Sequence, residues 1–153
     1  MTTVLRFTSE LAMQFEELNR EWIDLYFEIE DADRLVFADP FKEIVEPGGQ
    51  IFFVSKNDEV LGTCAVMRLD DNTYELAKMA VSPKAQGRGY ANLLMKSAIE
   101  FANEAGAERL ILLSNTRLKT AIALYEKHGF KPVPITDAAD YKRVDIQMEL
   151  RLR

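Results

Sequence analysis

The sequence predicts a single domain of the α/β class, in which a mixed sheet carries helices on its faces. Segments with strand patterning alternate with segments of helical periodicity along the 153 residues. The run Arg109–Leu113 is almost continuously apolar, which favours a strand that is buried on both faces. No repeat, low-complexity tract or linker divides the chain, so we expect one continuous domain over residues 1–153.

The first half predicts a strand, two helices and a three-strand meander. Val4–Phe7 is a candidate strand, and the apolar stripe Leu11–Ile29 predicts one long helix that opens at Thr8 or Ser9. The pair Asp39-Pro40 predicts a short helix that ends near residues 47–49. Polar turns then separate three predicted strands, which are Gln50–Lys56, Glu59–Leu69 and Thr73–Val81.

The second half alternates helices with strands. A helix is expected from about Gly89 to Ala105, because a glycine follows it in the position favoured after a helix C-terminus. Beyond the strand at residues 109–113, Leu118–Lys127 predicts another helix, again ended by a glycine. Two terminal strands are expected at Lys131–Pro134 and Lys142–Leu150.

Composition excludes several classes of function. The 19 basic and 25 acidic residues give a net charge of −6, and the sequence has no basic cluster. We therefore expect no nucleic-acid partner. The apolar runs are far shorter than the ~18 residues of a membrane span, and the first residues lack the apolar stretch of a signal peptide. We therefore expect a cytoplasmic protein without a membrane partner. Cys64 is the single cysteine, which excludes an intrachain disulfide and a thiolate metal cluster, so we expect no metal.

The charges divide unequally between the two halves. Residues 1–76 hold 17 acidic and 6 basic residues, a net charge of −11, whereas residues 77–153 hold 8 acidic and 13 basic residues, a net charge of +5. Two partners of opposite charge that meet on one domain would account for this division, and so would a chance scatter of surface charge.

The most informative segment is the turn between the strand that ends at Val81 and the next helix. Gly87 and Gly89 permit positive φ and let backbone N–H groups approach a ligand closely. Such groups at a helix N-terminus favour an anion, typically phosphate, and Arg88 adds a cation. The segment lacks the Gly-Lys-Ser/Thr of a Walker loop, and Asn92 stands where a dinucleotide fingerprint has its third glycine. A purely structural turn is the alternative.

The pattern Q-x-x-G-x-A that begins at Gln86 resembles the signature of the GNAT superfamily of N-acetyltransferases. Downstream, the segment AIALYEKHGF from Ala121 to Phe130 resembles the second motif of that family, and Tyr74–Val81 resembles the strand before its loop. The match covers roughly residues 50–150 in the correct order. One departure is Leu118, where many members have Asn. The resemblance implies a largely antiparallel sheet with two splayed central parallel strands and helices on both faces.

The resemblance also implies acetyl-coenzyme A as the cosubstrate. Its pantetheine arm would enter between the splayed strands, and its pyrophosphate would lie on the glycine turn. Asn115 would contact the coenzyme or only cap the next helix. The implied cofactor-binding residues are Met79, Ala80, Val81, Gln86, Gly87, Arg88, Gly89, Tyr90, Ala91, Asn92, Asn115 and Ala121.

Tyr125 is the candidate general acid. When an amine attacks a thioester carbonyl, the departing thiolate benefits from a proton that a phenol can supply. Leu118, Ala121, Ile122 and Tyr125 share one face of their predicted helix, so the phenol can face the cleft. The alternative is a tyrosine that only packs its ring in the core.

Glu75 is the candidate general base. It lies 11 residues before Gln86, the offset at which the histone acetyltransferases of the superfamily place a glutamate base. A carboxylate buried on a central strand holds a proton more tightly, as a base that works near neutrality requires. Two alternatives remain, because Glu75 could simply pair with Lys78, or a chain of waters could accept the proton.

The acidic run at residues 28–33 is a candidate for the acceptor site, which this region lines in the superfamily. The periodicity puts the run at the C-terminal end of the first helix, where the helix dipole disfavours each negative charge by ~0.3–1 kcal/mol. The alternative is a solvated loop that Arg34 partly neutralises. The candidate substrate-binding residues are Trp22, Tyr26, Glu28 and Glu30.

The resemblance predicts an acetyl-CoA-dependent N-acetyltransferase, in which the amine attacks the thioester directly within a ternary complex. The acidic first half favours a small cationic amine as the acceptor, and the basic second half favours the anionic cofactor. One alternative is a coenzyme A-binding sensor or interaction domain without transfer activity. Another is an acetyltransferase of protein lysines or N-termini. The protein is expected to be a monomer or a homodimer.

Overall fold

The computed structural model, which describes residues 1–136 and 141–153, confirms the mixed α/β fold. Seven strands form one sheet in the order β1-β2-β3-β4-β5-β7-β6, and among the described strands the single parallel contact joins β4 to β5. The strands are β1 Thr2–Arg6, β2 Gln50–Lys56, β3 Glu59–Arg68, β4 Thr73–Val81, β5 Arg109–Ser114, β6 Lys131–Val133 and β7 Ile146–Arg151.

Helices cover both faces of the sheet. They are α1 Ala12–Tyr26, α2 Asp31–Ala38, α3 Tyr90–Glu104 and α4 Lys119–Lys127. Strand β2 shows how the sheet divides the core, because its side chains alternate between the two faces. Ile51 and Phe53 pack with α1 and α2 in one cluster, the α1-side core. Phe52 and Val54 pack with α3 in the other, the α3-side core.

The prediction of one long first helix was wrong. The chain leaves helical geometry at Phe27, whose φ of −148° and ψ of −162° are extended, and α2 begins at Asp31. Side chains of Glu30 and Asp33 form a capping box there, each accepting a hydrogen bond from the backbone of the other residue. The acidic run therefore lies at a helix N-terminus, where the dipole favours negative charge, and not at the predicted C-terminus.

Two further predicted elements differ from the structure. The short helix expected after Pro40 is a π-helical turn over Phe41–Val45. The last strand begins at Ile146 rather than at Lys142, and the chain before it turns toward α2. There the backbone N–H of Lys142 donates to Oε1 of Glu30 at 2.9 Å, and the neighbouring residues Tyr141, Arg143 and Val144 line a cavity instead of extending the sheet.

The centre of the sheet opens between its two parallel strands. Paired positions run from Thr73 with Arg109 to Leu76 with Leu112 and then end, although both strands continue. Beyond Leu76, Lys78 adopts a φ of +55°, and the register between β3 and β4 shifts nearby. These irregularities mark a β-bulge that turns the end of β4 away from β5. The resulting gap lies beside both cavities of the candidate site.

None of the helices within 1–136 and 141–153 combines the length and the apolar character that a bilayer crossing requires.

Candidate functional site

Two cavities meet at the opening between β4 and β5. The sheet cavity, of about 490 Å³, lies between this opening and helices α1 and α2. The turn cavity, of about 570 Å³, runs along the turn before α3 and the start of α4. Four residues line both cavities, so the two cavities adjoin at these side chains: Trp22, Met79, Leu118 and Tyr125. A ligand in one cavity would thus meet a ligand in the other beside Tyr125.

The turn cavity has the features of an anion site. Gly87 and Gly89 have φ of +82° and +81°, and a β-carbon placed on either would meet no neighbouring heavy atom within 4 Å. The backbone is therefore open to a ligand where α3 begins, and the first N–H groups of a helix lack intrahelical acceptors. Of the predicted cofactor-binding residues, those that line this cavity are Met79, Val81, Gln86, Gly87, Gly89, Tyr90, Ala91, Asn92 and Ala121.

Three predicted cofactor-binding residues lie elsewhere. Ala80 is 1% exposed and faces neither cavity. Arg88, between the two glycines of the turn, is exposed and does not line the turn cavity. Asn115 lines the sheet cavity, where its Nδ2 donates to the carbonyl oxygen of Arg143 at 2.8 Å and its Oδ1 accepts from the backbone N–H of Arg117 at 2.9 Å. It ties two loops together across the end of β5.

Two cationic residues that line the turn cavity were not predicted from the sequence. Arg117 and Lys119, just before and at the start of α4, line it together with the glycine turn. The guanidinium of Arg117 lies 4.8 Å from the ring centroid of Phe27, and its Nη2 donates to the carbonyl oxygen of Tyr26 at 2.8 Å. The only signal in the sequence was a basic pair between a buried strand and a helix, a position that becomes informative once the two turns are known to face each other.

The phenol of Tyr125 lies at the junction of the two cavities. Its ring centroid is 6.2 Å from that of Phe130, and it contacts the α3-side core. Burial raises the pKa of this phenol to about 12, because the phenolate would lose its solvation. The hydroxyl is therefore a proton or hydrogen-bond donor throughout the neutral range. Cys64, by contrast, is fully buried in the α3-side core, and burial raises the pKa of its thiol well above the usual range.

An ion-pair cluster forms one end of the sheet cavity. Asp33 is fully buried, and its Oδ1 accepts hydrogen bonds from Lys78 Nζ at 2.5 Å and from Arg143 Nη2 at 2.7 Å. Its Oδ2 accepts from Arg143 Nη1 and from the backbone N–H of Glu30, both at 2.9 Å. Burial alone would raise the pKa of Asp33, but the hydrogen bonds from Arg143 and Lys78 outweigh it and hold this pKa far below its ordinary value.

The predicted acceptor residues are distributed over both cavities and the cluster. Trp22 lines both cavities, and Tyr26 lines the turn cavity. The carboxylate of Glu30 accepts from Lys142 and from Arg143, and Glu28 offers its backbone carbonyl to Arg143 at 3.5 Å. Glu75, the predicted base, lines the sheet cavity. The ammonium of Lys78 is hydrogen-bonded to Asp33, and the charge of Glu75 acts on it electrostatically.

Known proteins are similar to this chain in sequence and in fold. A model of the acetyltransferase (GNAT) family matches residues 11–130. The uncharacterized N-acetyltransferase YvbK of Bacillus subtilis is 29% identical over 119 residues, which cover 76% of this chain and 71% of that protein. A GNAT-family acetyltransferase from Staphylococcus aureus Mu50 superposes over 100% of both chains with a TM-score of 0.91 at 17% identity. YncA of Salmonella typhimurium, whose structure includes its cofactor acetyl-CoA, matches 100% of this chain and 95% of its own with a TM-score of 0.75 at 19% identity.

Proposed function

The chain belongs to the acetyltransferase (GNAT) family, and from this premise we propose that it transfers the acetyl group of acetyl-CoA directly to a small primary amine. The single observation that carries the proposal is the meeting of two cavities at Tyr125. One cavity suits an anionic cofactor and the other a small acceptor, so both substrates can be held at once. We also propose that residues 1–153 act as one domain, since both cores are built on the same sheet.

The residues of the turn cavity fit the anionic end of acetyl-CoA. The open backbone at Gly87 and Gly89 and the start of α3 supply N–H donors, while Arg117 and Lys119, which line the same cavity, supply positive charge. The gap beside Met79 leads from this cavity into the sheet, because the pairing between β4 and β5 has already ended there. When bound, the cofactor supplies an acetyl group activated as a thioester. Its presence in the structure of YncA, which has a similar fold, supports the same cosubstrate here.

Two side chains of this chain have the chemistry that the transfer needs. Glu75 lines the sheet cavity, and its carboxylate takes the proton of the incoming ammonium, directly or through water. Tyr125 keeps its proton at neutral pH and points that donor into the junction, where it stabilises the departing thiolate. Because the amine attacks the thioester itself, no acyl-enzyme is formed, and the buried Cys64 takes no part.

Two measurements test this proposal in order. Calorimetric titration with acetyl-CoA is expected to give saturable binding that Arg117→Ala weakens by about tenfold, since a charge-assisted contact to phosphate is lost. Release of free thiol from acetyl-CoA is then followed with a panel of small primary amines and with lysine peptides. Binding without thiol release for any amine would favour a coenzyme A-binding sensor. Thiol release with peptides alone would favour a protein acetyltransferase.

A further inference from the structure

Strand β4 has one residue more than its neighbour β3 at the bulge. Ala65 pairs with Ala77, and two positions before Ala65 on β3, Thr63 pairs with Ala80. Two steps along β3 thus oppose three steps along β4, which is the count that defines a β-bulge. Lys78 lies within these three steps and has a φ of +55°, a left-handed conformation that is uncommon and unfavourable for a residue with a β-carbon. The bulge therefore requires a strained backbone at a lysine.

The bulge also turns the side chain of Lys78 to the α1 side of the sheet. Leu76 packs in the α3-side core, and regular alternation would bring Lys78 to that side as well. Nζ of Lys78 instead donates to Oδ1 of Asp33 at 2.5 Å, and it lies 5.7 Å from the ring centroid of Phe37. Met79 then returns to the α3-side core. Because a regular strand would turn the ammonium away from Asp33, this ion pair can form only with the bulge in place.

The carboxylate of Asp33 is held in position by other groups. Its Oδ2 accepts from the backbone N–H of Glu30, within the capping box of α2, and from Nη1 of Arg143, both at 2.9 Å. The side chain of Asp33 is fully buried and that of Lys78 is 6% exposed. An ammonium that is buried without its carboxylate is costly, so the fixed position of Asp33 favours the backbone conformation that brings Lys78 to it.

The bulge lies where the sheet opens. The last pair between β4 and β5 joins Leu76 to Leu112, and Lys78 is the second residue beyond that pair. The next residue, Met79, lines both the sheet cavity and the turn cavity. A change in the backbone conformation at position 78 would therefore move the wall of the gap between the two cavities.

We propose that Lys78 and Asp33 are positioning residues for acetyl-CoA, whose ion pair stabilises the bulge of β4 and so keeps the gap open to the pantetheine arm. The pair acts through the backbone of β4, and neither side chain has to touch the cofactor. This inference rests on the proposed binding of acetyl-CoA and adds what shapes the site. Without the pair, a residue with a β-carbon favours regular extended geometry over left-handed geometry by about 5- to 30-fold.

The test compares Lys78→Ala with Lys78→Gly, which both lack the ammonium and differ by one β-carbon. In calorimetric titration with acetyl-CoA we expect Lys78→Ala to raise Kd by about tenfold, because left-handed geometry is no longer stabilised. Lys78→Gly should stay within about threefold of wild type, because glycine adopts positive φ about as readily as negative φ. Both variants should have a lower Tm, since both lose the same buried ion pair.

A matched control changes another strained residue outside the site. Asp58 has a φ of +66° in the exposed turn between β2 and β3, and it lines neither cavity. Asp58→Ala and Asp58→Gly should therefore differ in Tm but not in acetyl-CoA affinity. If Lys78→Ala does not fold, Lys78→Met takes its place in the comparison, because it keeps the apolar stem beside Phe37 together with the β-carbon.

The ratio of the two dissociation constants decides the outcome. A Kd for the variant with a β-carbon that exceeds that of Lys78→Gly by about threefold or more would support the positioning role, since left-handed strain corresponds to at least this factor. A smaller ratio, whether both variants bind like wild type or both bind weakly, would overturn it and leave acetyl-CoA binding and transfer standing. Wild-type protein that fails to bind acetyl-CoA would overturn the proposed function itself.

Discussion

Replacing Tyr125 by Phe removes a single hydroxyl from the wall that the two cavities share. The ring contacts with Phe130 and the α3-side core are kept, so the fold is expected to tolerate the change. The hydroxyl that is lost is the donor assigned to the departing thiolate. Because the pKa of this phenol is raised to about 12, the effect on the reaction can be estimated from proton affinities.

Complete proton transfer from this phenol to a thiolate is unfavourable. A thiol has an ordinary pKa of about 8.5, about 3.5 units below that of Tyr125, which corresponds to about 5 kcal/mol. We therefore expect Tyr125 to act mainly as a hydrogen-bond donor to the developing negative charge on sulfur. Such a charge-assisted bond contributes about 1.5–3 kcal/mol, so Tyr125→Phe should lower kcat by about 10- to 150-fold. A fully effective general acid would cost up to about 10⁴-fold.

The assay is the rate of thiol release at saturating acetyl-CoA between about pH 6.5 and 9.5, for wild type and variant. Since the phenol stays protonated over this whole range, the ratio of the two rates should not change with pH. Tyr74→Phe is the matched control, because Tyr74 lies on the same strand as the site but packs against Phe101 on the α3 side. A ratio that varied with an inflection inside this range would refute the burial argument, and a wild-type rate would remove Tyr125 from the chemistry.

Two further substitutions test the turn cavity and the ion-pair cluster. Gly89→Val fills the open space over the turn and strains a residue at φ +81°; acetyl-CoA affinity should fall more than about tenfold, while strain of roughly 1–2 kcal/mol lowers Tm by only a few degrees. Gly106→Val, with φ +85° and the same open surroundings but no cavity, should show the loss of Tm alone, and equal affinity losses would contradict the assignment. Asp33→Asn should reduce the free energy of unfolding by about 3–5 kcal/mol at neutral pH, because two buried cations lose their carboxylate. Since the pKa of Asp33 is depressed in the fold, its stabilisation is present above the unfolded value of about 3.9 and is lost as pH falls below it. The variant's stability, followed by urea unfolding, should therefore change less between pH 6 and 3, and parallel curves would refute the pairing.

Features with a local signal were predictable from the sequence. Glycines at 87 and 89 could be assigned to a ligand turn because a strand pattern precedes them and a helix pattern follows. The hairpin across Asn57 and Asp58 was equally clear, and both residues take the positive φ that such a turn needs. In each case the conformation depends on residues that are close together in the chain.

The break after α1 had no such signal. Ile29 continues the apolar spacing of the stripe, so periodicity alone extends the helix through Phe27. What decides the boundary is the capping box at Glu30, whose acidic residues also resemble an ordinary solvated surface. The apolar spacing and the capping box are local signals of similar strength, so tertiary contacts decide where the first helix ends.

The ion-pair cluster at the end of the sheet cavity could not be predicted from local sequence patterns. Asp33 meets Lys78 across 45 positions of sequence and Arg143 across 110. The side chain of Lys78 reaches Asp33 because a bulge turns it to the other face of the sheet. No residue type in the strand predicts that bulge. Sequence spacing had offered Glu75 as the partner of Lys78 because the two lie on one strand.

The sheet is joined at its centre by four pairs of positions, all at one end of β4 and β5. The four pairs can act as a hinge between two parts of the sheet, β1–β4 and β5–β7. Rotation of one part relative to the other would change the gap least at Thr73 and most near Ser114, on the side where the cavities meet. An extended molecule in that gap would contact both parts of the sheet and oppose this rotation, so we expect the width of the gap to depend on the molecule that is bound.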